Sequence, residues 1–282
     1  MENIRQAIER ALAEGAPRPG VRNAAPSIPR RPLAEAHYEP SASKYEEVFL
    51  DDARLRQGRV ISQDLTDPLG RSFDMLRTQL LQLMDGKKWK IVAVTSPTPA
   101  CGKTVTSLNL ALSVSRLQDR PVMVIDLDFA RPMVAEVLGL SPSVVIGNVL
   151  EGTQKLSHAV IHAHVGKQEL KVVPCSSMVG SAELMASRNM ETLFRELRAD
   201  FDSHVIIIDL PPILVSDDVI TVLPWVDCIL LVAAVGVSTV AQIEECKKHL
   251  QWAEVARVVL TKASESNTHL YYQYYGVAGR KG

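Results

Sequence analysis

The chain has 282 residues, with 31 Lys+Arg against 32 Asp+Glu, 46% apolar residues and only 5% aromatic ones. That length suits one α/β domain of about 200 residues plus appendages, with a core of Val, Ile, Leu and Ala. The balanced charge gives no argument for nucleic acid or a membrane surface as a partner, and the 4 cysteines, which lack C-x-x-C spacing, read as reduced cytoplasmic thiols and not as a disulfide or zinc framework.

Residues 1–14 place Ile4, Ile8, Ala11 and Leu12 at i, i+4, i+7 and i+8, the pattern of a short amphipathic helix. The stretch is charged throughout and lacks the apolar centre of a secretory signal. Residues 15–59 read as a flexible, basic, Pro-rich linker, with five prolines, four arginines and no acid between residues 15 and 33. From residue 60 the pattern becomes that of a folded domain, expected to run to 263. A helix is predicted from Asp67, with Pro68 at its first position. Strands are predicted at 90–96, 121–126, 170–175, 204–210, 228–235 and 257–261, with helices at 103–117, 182–200 and 239–252 between them. Strands that are apolar on both faces and joined by helices imply a doubly wound, mostly parallel sheet whose ligands bind at the carboxyl ends of the strands. The longest apolar run, "CILLVAAVGV" from Cys228, is about half of a membrane span. Residues 264–282 form a polar tail in which Tyr271, Tyr272, Tyr274 and Tyr275 are four of the chain's 6 tyrosines.

Three strand ends carry the chemistry. "SPTPACGKTV" follows an apolar strand and opens a helix. In such a phosphate loop (Thr98, Pro99, Ala100, Cys101, Gly102, Lys103, Thr104, Val105) backbone N–H groups surround a phosphate, the lysine reaches its oxygens and the hydroxyl binds Mg²⁺. "VMVIDLDFARP" delivers Asp126 and Asp128 to the end of a second strand, two residues apart and therefore on one face, with Arg131 just beyond. "HVIIIDLPP" delivers Asp209 in the position of an acid that holds Mg²⁺; Asp217 and Asp218 read as further acids near the metal or as a helix N-cap. Cys101 beside loop N–H groups permits a redox-sensitive thiol, with a tolerated small side chain as the simpler reading. His158, His162 and His164 are spaced like metal ligands, but read as a solvated helix face without an acidic or cysteine partner.

Together, Asp126-x-Asp128, Arg131-Pro132, Asp209-Leu-Pro211-Pro212 and the tyrosine tail resemble the bacterial tyrosine kinases (BY-kinases), with further similarity over Met75–Leu80 and Ser181–Asp202. The N-terminal "IRQAIERALAE" looks like the stand-alone, cytoplasmic CpsD/CapB-like members of exosortase-linked exopolysaccharide clusters. The resemblance implies a P-loop NTPase fold of the MinD/BY-kinase type using ATP and Mg²⁺. It implies Lys103, Asp126, Asp128 and Arg131 as catalytic, Thr104, Asp126 and Asp209 at the metal, and trans-autophosphorylation of Tyr271, Tyr272, Tyr274 and Tyr275. It also implies self-association, a membrane polysaccharide co-polymerase as activator, and a cytoplasmic location at the inner membrane through that partner. Four places depart from the family pattern. Ala100 replaces a loop glycine, Ala130 an arginine and Thr261 an adenine-recognising Asn, while Arg71, Asp74 and Arg77 fall on an oligomerising E-x-x-R-x-x-R. A nucleotide-binding scaffold without transfer is therefore one alternative. A MinD/ParA-type positioning ATPase is another, although Thr98 stands where those proteins carry an extra lysine.

Overall fold

Runs of Val and Ile without a polar face can be satisfied only inside a covered sheet, and here they form its centre. The computed structural model describes residues 45–61, 68–178, 180–251 and 253–263. The predicted helix at 1–14, most of the predicted linker and the tyrosine tail lie outside the described residues.

The strands are β1 (Glu46–Phe49), β2 (Ile91–Thr95), β3 (Val122–Asp126), β4 (Ile161–Val165), β5 (Gln168–Val173), β6 (Val205–Asp209), β7 (Cys228–Ala234) and β8 (Val255–Thr261). The α-helices are α1 (Asp52–Gln57), α2 (Pro68–Lys87), α3 (Lys103–Ser115), α4 (Val134–Leu138), α5 (Ile146–Leu150), α6 (Leu156–Ala159), α7 (Ser181–Met185), α8 (Arg188–Asp200), α9 (Asp218–Val222) and α10 (Val240–His249). The 8 strands form one sheet in the order β1-β4-β5-β3-β6-β2-β7-β8. From β5 to β8 all neighbours are parallel, whereas β4 runs antiparallel to β5 and β1 pairs parallel to β4. The expected doubly wound, mostly parallel fold is present.

Each face of the sheet has its own core. On one, Leu80 and Met84 of α2 and Leu108 and Leu112 of α3 cover Val92, Val124 and Ile207. On the other, Phe194 and Leu197 of α8, Val219 of α9 and Cys246 of α10 cover Ala93, Ile125 and Ile208. These strand residues are essentially inaccessible to water, and burying apolar area at about 25 cal/mol per Å² is the main force holding the layers together.

The sequence reading needs correcting in two places. The ordered fold starts before residue 60, because β1 and α1 lie within the stretch expected to be linker. Leu55 and Val60 are buried, and Asn109 of α3 accepts from the Ile61 N–H at 2.7 Å and donates to the Arg59 carbonyl at 2.9 Å. His162 and His164 lie on strand β4 and not on a helix; only His158 is helical, in α6. The alternation Ile161-His-Ala-His-Val165 is a period of two, which the pairing of these residues with His158 obscured.

Asp74 and Arg77, which fall on the family's oligomerising motif, act within this chain. Asp74 Oδ1 accepts from Ser113 Oγ at 2.6 Å and Arg77 Nη1 at 3.3 Å, and pairs with Arg116, while Arg77 also donates to the Ser113 carbonyl at 2.8 Å. This network holds α2 on α3. Asp74→Ala is expected to lower unfolding free energy by about 1–3 kcal/mol, because it strands part-buried donors. Glu191→Ala, at an exposed pair with Arg195, should cost less than about 0.5 kcal/mol. Urea titration of both variants checks the contrast.

Candidate active site

The site is built at the carboxyl ends of three adjacent strands. Register places Asp126 of β3 directly beside Asp209 of β6, and Asp209 beside Val94 of β2, whose next turn is the phosphate loop. A lone pair of neighbouring buried carboxylates is unfavourable, so their partners decide whether the site is tolerated.

The loop is stitched to the β6 end. Thr95 Oγ1 donates to the Pro211 carbonyl at 2.7 Å, and the Ile213 N–H donates to the Ser96 carbonyl at 2.9 Å. Ser96 Oγ closes the turn onto the Thr98 carbonyl at 2.8 Å. Gly102, at φ 87°, starts α3 without a side-chain cap. The helix therefore presents free N–H groups and its positive dipole end to the loop, an arrangement suited to phosphate.

Lys103 and Thr104 then point at the acids. Lys103 Nζ lies 2.6 Å from Asp128 Oδ2, with both side chains nearly buried. Thr104 Oγ1 donates to Asp209 Oδ2 at 2.6 Å, and Ser107, one turn further along α3, donates to Asp209 Oδ1 at 3.1 Å. Asp126 accepts the Asp128 N–H at 3.0 Å on one oxygen, and the Met133 and Val134 N–H groups at 3.2 and 3.1 Å on the other. It thereby fixes the turn that aims Asp128. Asp128 Oδ1 accepts the Arg131 N–H at 3.0 Å; the Arg131 side chain is exposed. The structure thus brings Lys103, Thr104, Asp126, Asp128 and Asp209 together, and ties Arg131 in through its backbone.

Burial, reinforced by Asp209, lifts the Asp126 carboxyl to about 7. Burial also raises Asp209, against the pull of Lys103 and the hydrogen bonds from Thr104 and Ser107. For Lys103, burial favours the neutral amine, but Asp209, Asp128 and Asp126 outweigh it and hold the ammonium above its usual range. A raised carboxyl favours folding when protonated. The Asp126 contribution is fully present below the unfolded carboxylate range near pH 4, and is lost as pH rises through about 7.

The remaining predicted residues fall into place around this core. Thr98 is half-buried, Pro99 and Ala100 are exposed, and Val105 is half-buried in the first turn of α3. Cys101 is fully buried, its sulfur 3.4 Å from Ser238 Oγ and 3.6 Å from Thr98 Oγ1. Asp217 sits at the N-cap of α9 without a side-chain capping bond. Two contributors were missed. Ser107 was detectable as the residue one helical turn beyond Thr104 on the same face. Thr261 was noted only as a departure, but its hydroxyl donates to the Cys101 carbonyl at 2.6 Å and lies 3.2 Å from the Ala233 carbonyl. It braces the loop against β7 and β8, a contact with no local sequence signal.

The profile of the CobQ/CobB/MinD/ParA nucleotide binding domain matches residues 92–275. The tyrosine-protein kinase CpsD of Streptococcus pneumoniae is 32% identical over 170 residues, 60% of this chain and 73% of that protein. The chain belongs to the bacterial tyrosine-kinase branch of this nucleotide-binding family. The solved kinase domain of Escherichia coli tyrosine kinase ETK has a TM-score of 0.64 at 25% identity, over 73% of this chain and 81% of that one. The EpsB protein of Ralstonia nicotianae is 29% identical over 213 residues, 73% of this chain, but the chain spans only 27% of EpsB.

Within this tyrosine-kinase-family loop, Ala100 adopts φ 62°. The left-handed region costs a residue with a Cβ about 1–2 kcal/mol, whereas glycine costs about 0.4–1 kcal/mol through the freer unfolded chain. Ala100 is exposed, so no packing is lost on removing its methyl. Ala100→Gly should therefore raise stability by up to about 1 kcal/mol, measured as a shift of the urea midpoint at unchanged slope.

Proposed function

We propose that this chain is an ATP-dependent protein-tyrosine autokinase that phosphorylates Tyr271, Tyr272, Tyr274 and Tyr275 of a neighbouring copy. The observation that carries this reading is the packing of Asp126, Asp128 and Asp209 around Lys103 and the Thr104 hydroxyl. Three carboxyl groups face one ammonium, and two of them are held above the usual carboxylate range, an acidic pocket that a divalent cation would draw into the ionised state. Thr104 with Asp209 is the hydroxyl–carboxylate pair that P-loop sites use for Mg²⁺.

Mg·ATP, when bound, supplies the phosphoryl group and neutralises charge during its transfer. The chain's own residues do the positioning. The N–H groups of loop residues 98–105 cradle phosphate, and Lys103 exchanges part of its contact with Asp128 for phosphate oxygens. Asp209 orients the Thr104 hydroxyl. Asp128, held by the turn that Asp126 organises, receives the incoming tyrosyl O–H, and the raised carboxyl of Asp126 can hold a proton near neutral pH. Arg131 offers its cation at the rim.

In this reading the tail is the acceptor because its tyrosines cluster beyond the last strand. Each phosphorylation adds about −1.5 to −2 charge, enough to switch association with another copy or with a partner. Among the described residues no helix is long and apolar enough to cross a membrane. We assign attachment at the inner membrane, and activation, to a membrane polysaccharide co-polymerase, with exopolysaccharide polymerisation and export as the regulated process. No nucleic-acid partner is invoked. A nucleotide-switched scaffold without transfer is the second reading. It is favoured by the left-handed Ala100 in the loop and by the commitment of the Thr261 hydroxyl to the loop carbonyl.

Incubation with Mg·ATP, with a cytoplasmic activator fragment added, followed by phosphotyrosine blotting separates the two. The kinase reading predicts signal in the wild type, a loss of about 100-fold or more in Lys103→Met, and loss of signal on truncation after Ser266. ATP binding without any phosphotyrosine in the wild type contradicts it and leaves the scaffold.

A further inference from the structure

At the far side of the sheet lies a cluster for which the phosphoryl-transfer site has no use. Alternation along β4 sends Ile161, Ala163 and Val165 into the core, and His162 and His164 to the other face, each partly covered. Pairing sets Glu47 of β1 beside His162, and Glu169 of β5 beside His164. Residues opposite one another in a sheet share a face, so imidazoles and carboxylates from three strands meet there. The two rings are 4.5 Å apart, and the exposed Phe49 stacks on His164 at 4.9 Å. His164 Nε2 lies 3.9 Å from Glu47 Oε2, and His162 Nε2 lies 3.2 Å from Glu169 Oε2. One ligand atom from each of Glu47, His162 and His164 falls within 4.8 Å of the others.

Two details separate this cluster from ordinary cross-strand pairing. The His164 Nε2 atom is buried without a hydrogen-bond partner, a state that buried polar atoms rarely adopt. The nearby cation has partners of its own: Lys171, opposite His162 on β5, lies 2.9 Å from His204 Nε2 and over the Tyr45 ring at 5.7 Å.

We propose that Glu47, His162 and His164 form a Zn²⁺ site. Two imidazole nitrogens and one carboxylate oxygen are the ligands zinc takes at about 2.0–2.2 Å. At a tetrahedral angle such ligand atoms lie roughly 3.4 Å apart, so ligand atoms 3.9 Å apart between His164 and Glu47, and within 4.8 Å throughout, must draw closer, with the exposed glutamate the freest to move. Hard ions such as Mg²⁺ and Ca²⁺ favour all-oxygen sets and are poor competitors here. Glu169 lies at His162 Nε2, so His162 would ligate through Nδ1 while Glu169 fixes the ring by its other nitrogen, as outer carboxylates do for zinc-ligating histidines. The ligands span β1 and β4, so zinc clips the edge strand β1, the first described element, to the sheet. The site is separate from the carboxyl ends of β2, β3 and β6, and does not depend on kinase activity.

The test uses the full chain, stripped with a chelator and kept in excess Mg²⁺, titrated with Zn²⁺ against a chromophoric chelator and then with Co²⁺. One equivalent of Zn²⁺ is expected, with a raised melting temperature and the visible absorption of tetrahedral Co²⁺ lacking a thiolate charge-transfer band. Glu47→Gln, an exposed change that leaves packing intact, should weaken binding at least about tenfold, the scale seen even for outer-sphere changes. His162→Asn/His164→Asn should abolish it, with circular dichroism confirming the fold. No stoichiometric binding by the wild type, or binding unchanged in Glu47→Gln, overturns the proposal. So does a thiolate signature, which assigns the metal to the cysteines.

Discussion

The structure turns on one expensive arrangement: the carboxylates of Asp126 and Asp209 side by side on neighbouring buried strands, with Asp128 and the Lys103 ammonium against them. Burying like charges in a poor solvent for ions costs several kcal/mol per group unless every lone pair and proton is occupied. Here the occupancy is close to complete. Three backbone N–H groups serve Asp126, two helix hydroxyls serve Asp209, and Lys103 serves Asp128. The cost that remains, burial first and like-charge repulsion second, appears as the upward shift of Asp126 and Asp209.

That arrangement organises much else. The β3 end must turn sharply so that its N–H groups return to Asp126, which sets the path from Leu127 to Val134. The first turn of α3 must present hydroxyls at 104 and 107 towards β6, so that turn carries buried polar groups where an apolar face would otherwise pack. The loop between β2 and α3 is braced on one side by Pro211 and Ile213 and on the other by Thr261. These braces allow the loop to hold Ala100 in a backbone region that alanine disfavours. The loop is thus braced by hydrogen bonds from the strand ends on both sides, an arrangement that limits reorganisation when a ligand binds.

The central strands were legible because they are short, rich in β-branched residues and apolar on both faces; the same runs gave the acids their places at the strand ends. The edge strands were not. β1 is exposed on most of its residues, so no burial pattern marks it, and β4 alternates apolar residues with histidines, of which His162 also sits at a helical i+4 spacing from His158. The start of the fold was hidden likewise, since of its described residues only Leu55 and Val60 are fully buried. Among site residues, those whose identity the chemistry demands could be read directly. Thr261 could not, because its role comes from β8 lying beside β7, and the internal use of Asp74 and Arg77 depends on how α2 crosses α3. Local pattern carries chemistry well and tertiary bracing poorly.

The central claim is that the buried acid cluster is poised for a cation brought by nucleotide. Isothermal titration of the wild type and Asp126→Asn with preformed Mg·ATP at pH 7, in buffers of different ionisation enthalpy, measures this directly. With Asp126 near 7 in the free protein, a cation beside it displaces its proton. Proton release of a fraction of an equivalent is predicted for the wild type, falling towards zero in Asp126→Asn. Proton uptake, no release, or equal affinity for ATP with and without Mg²⁺ would contradict the account.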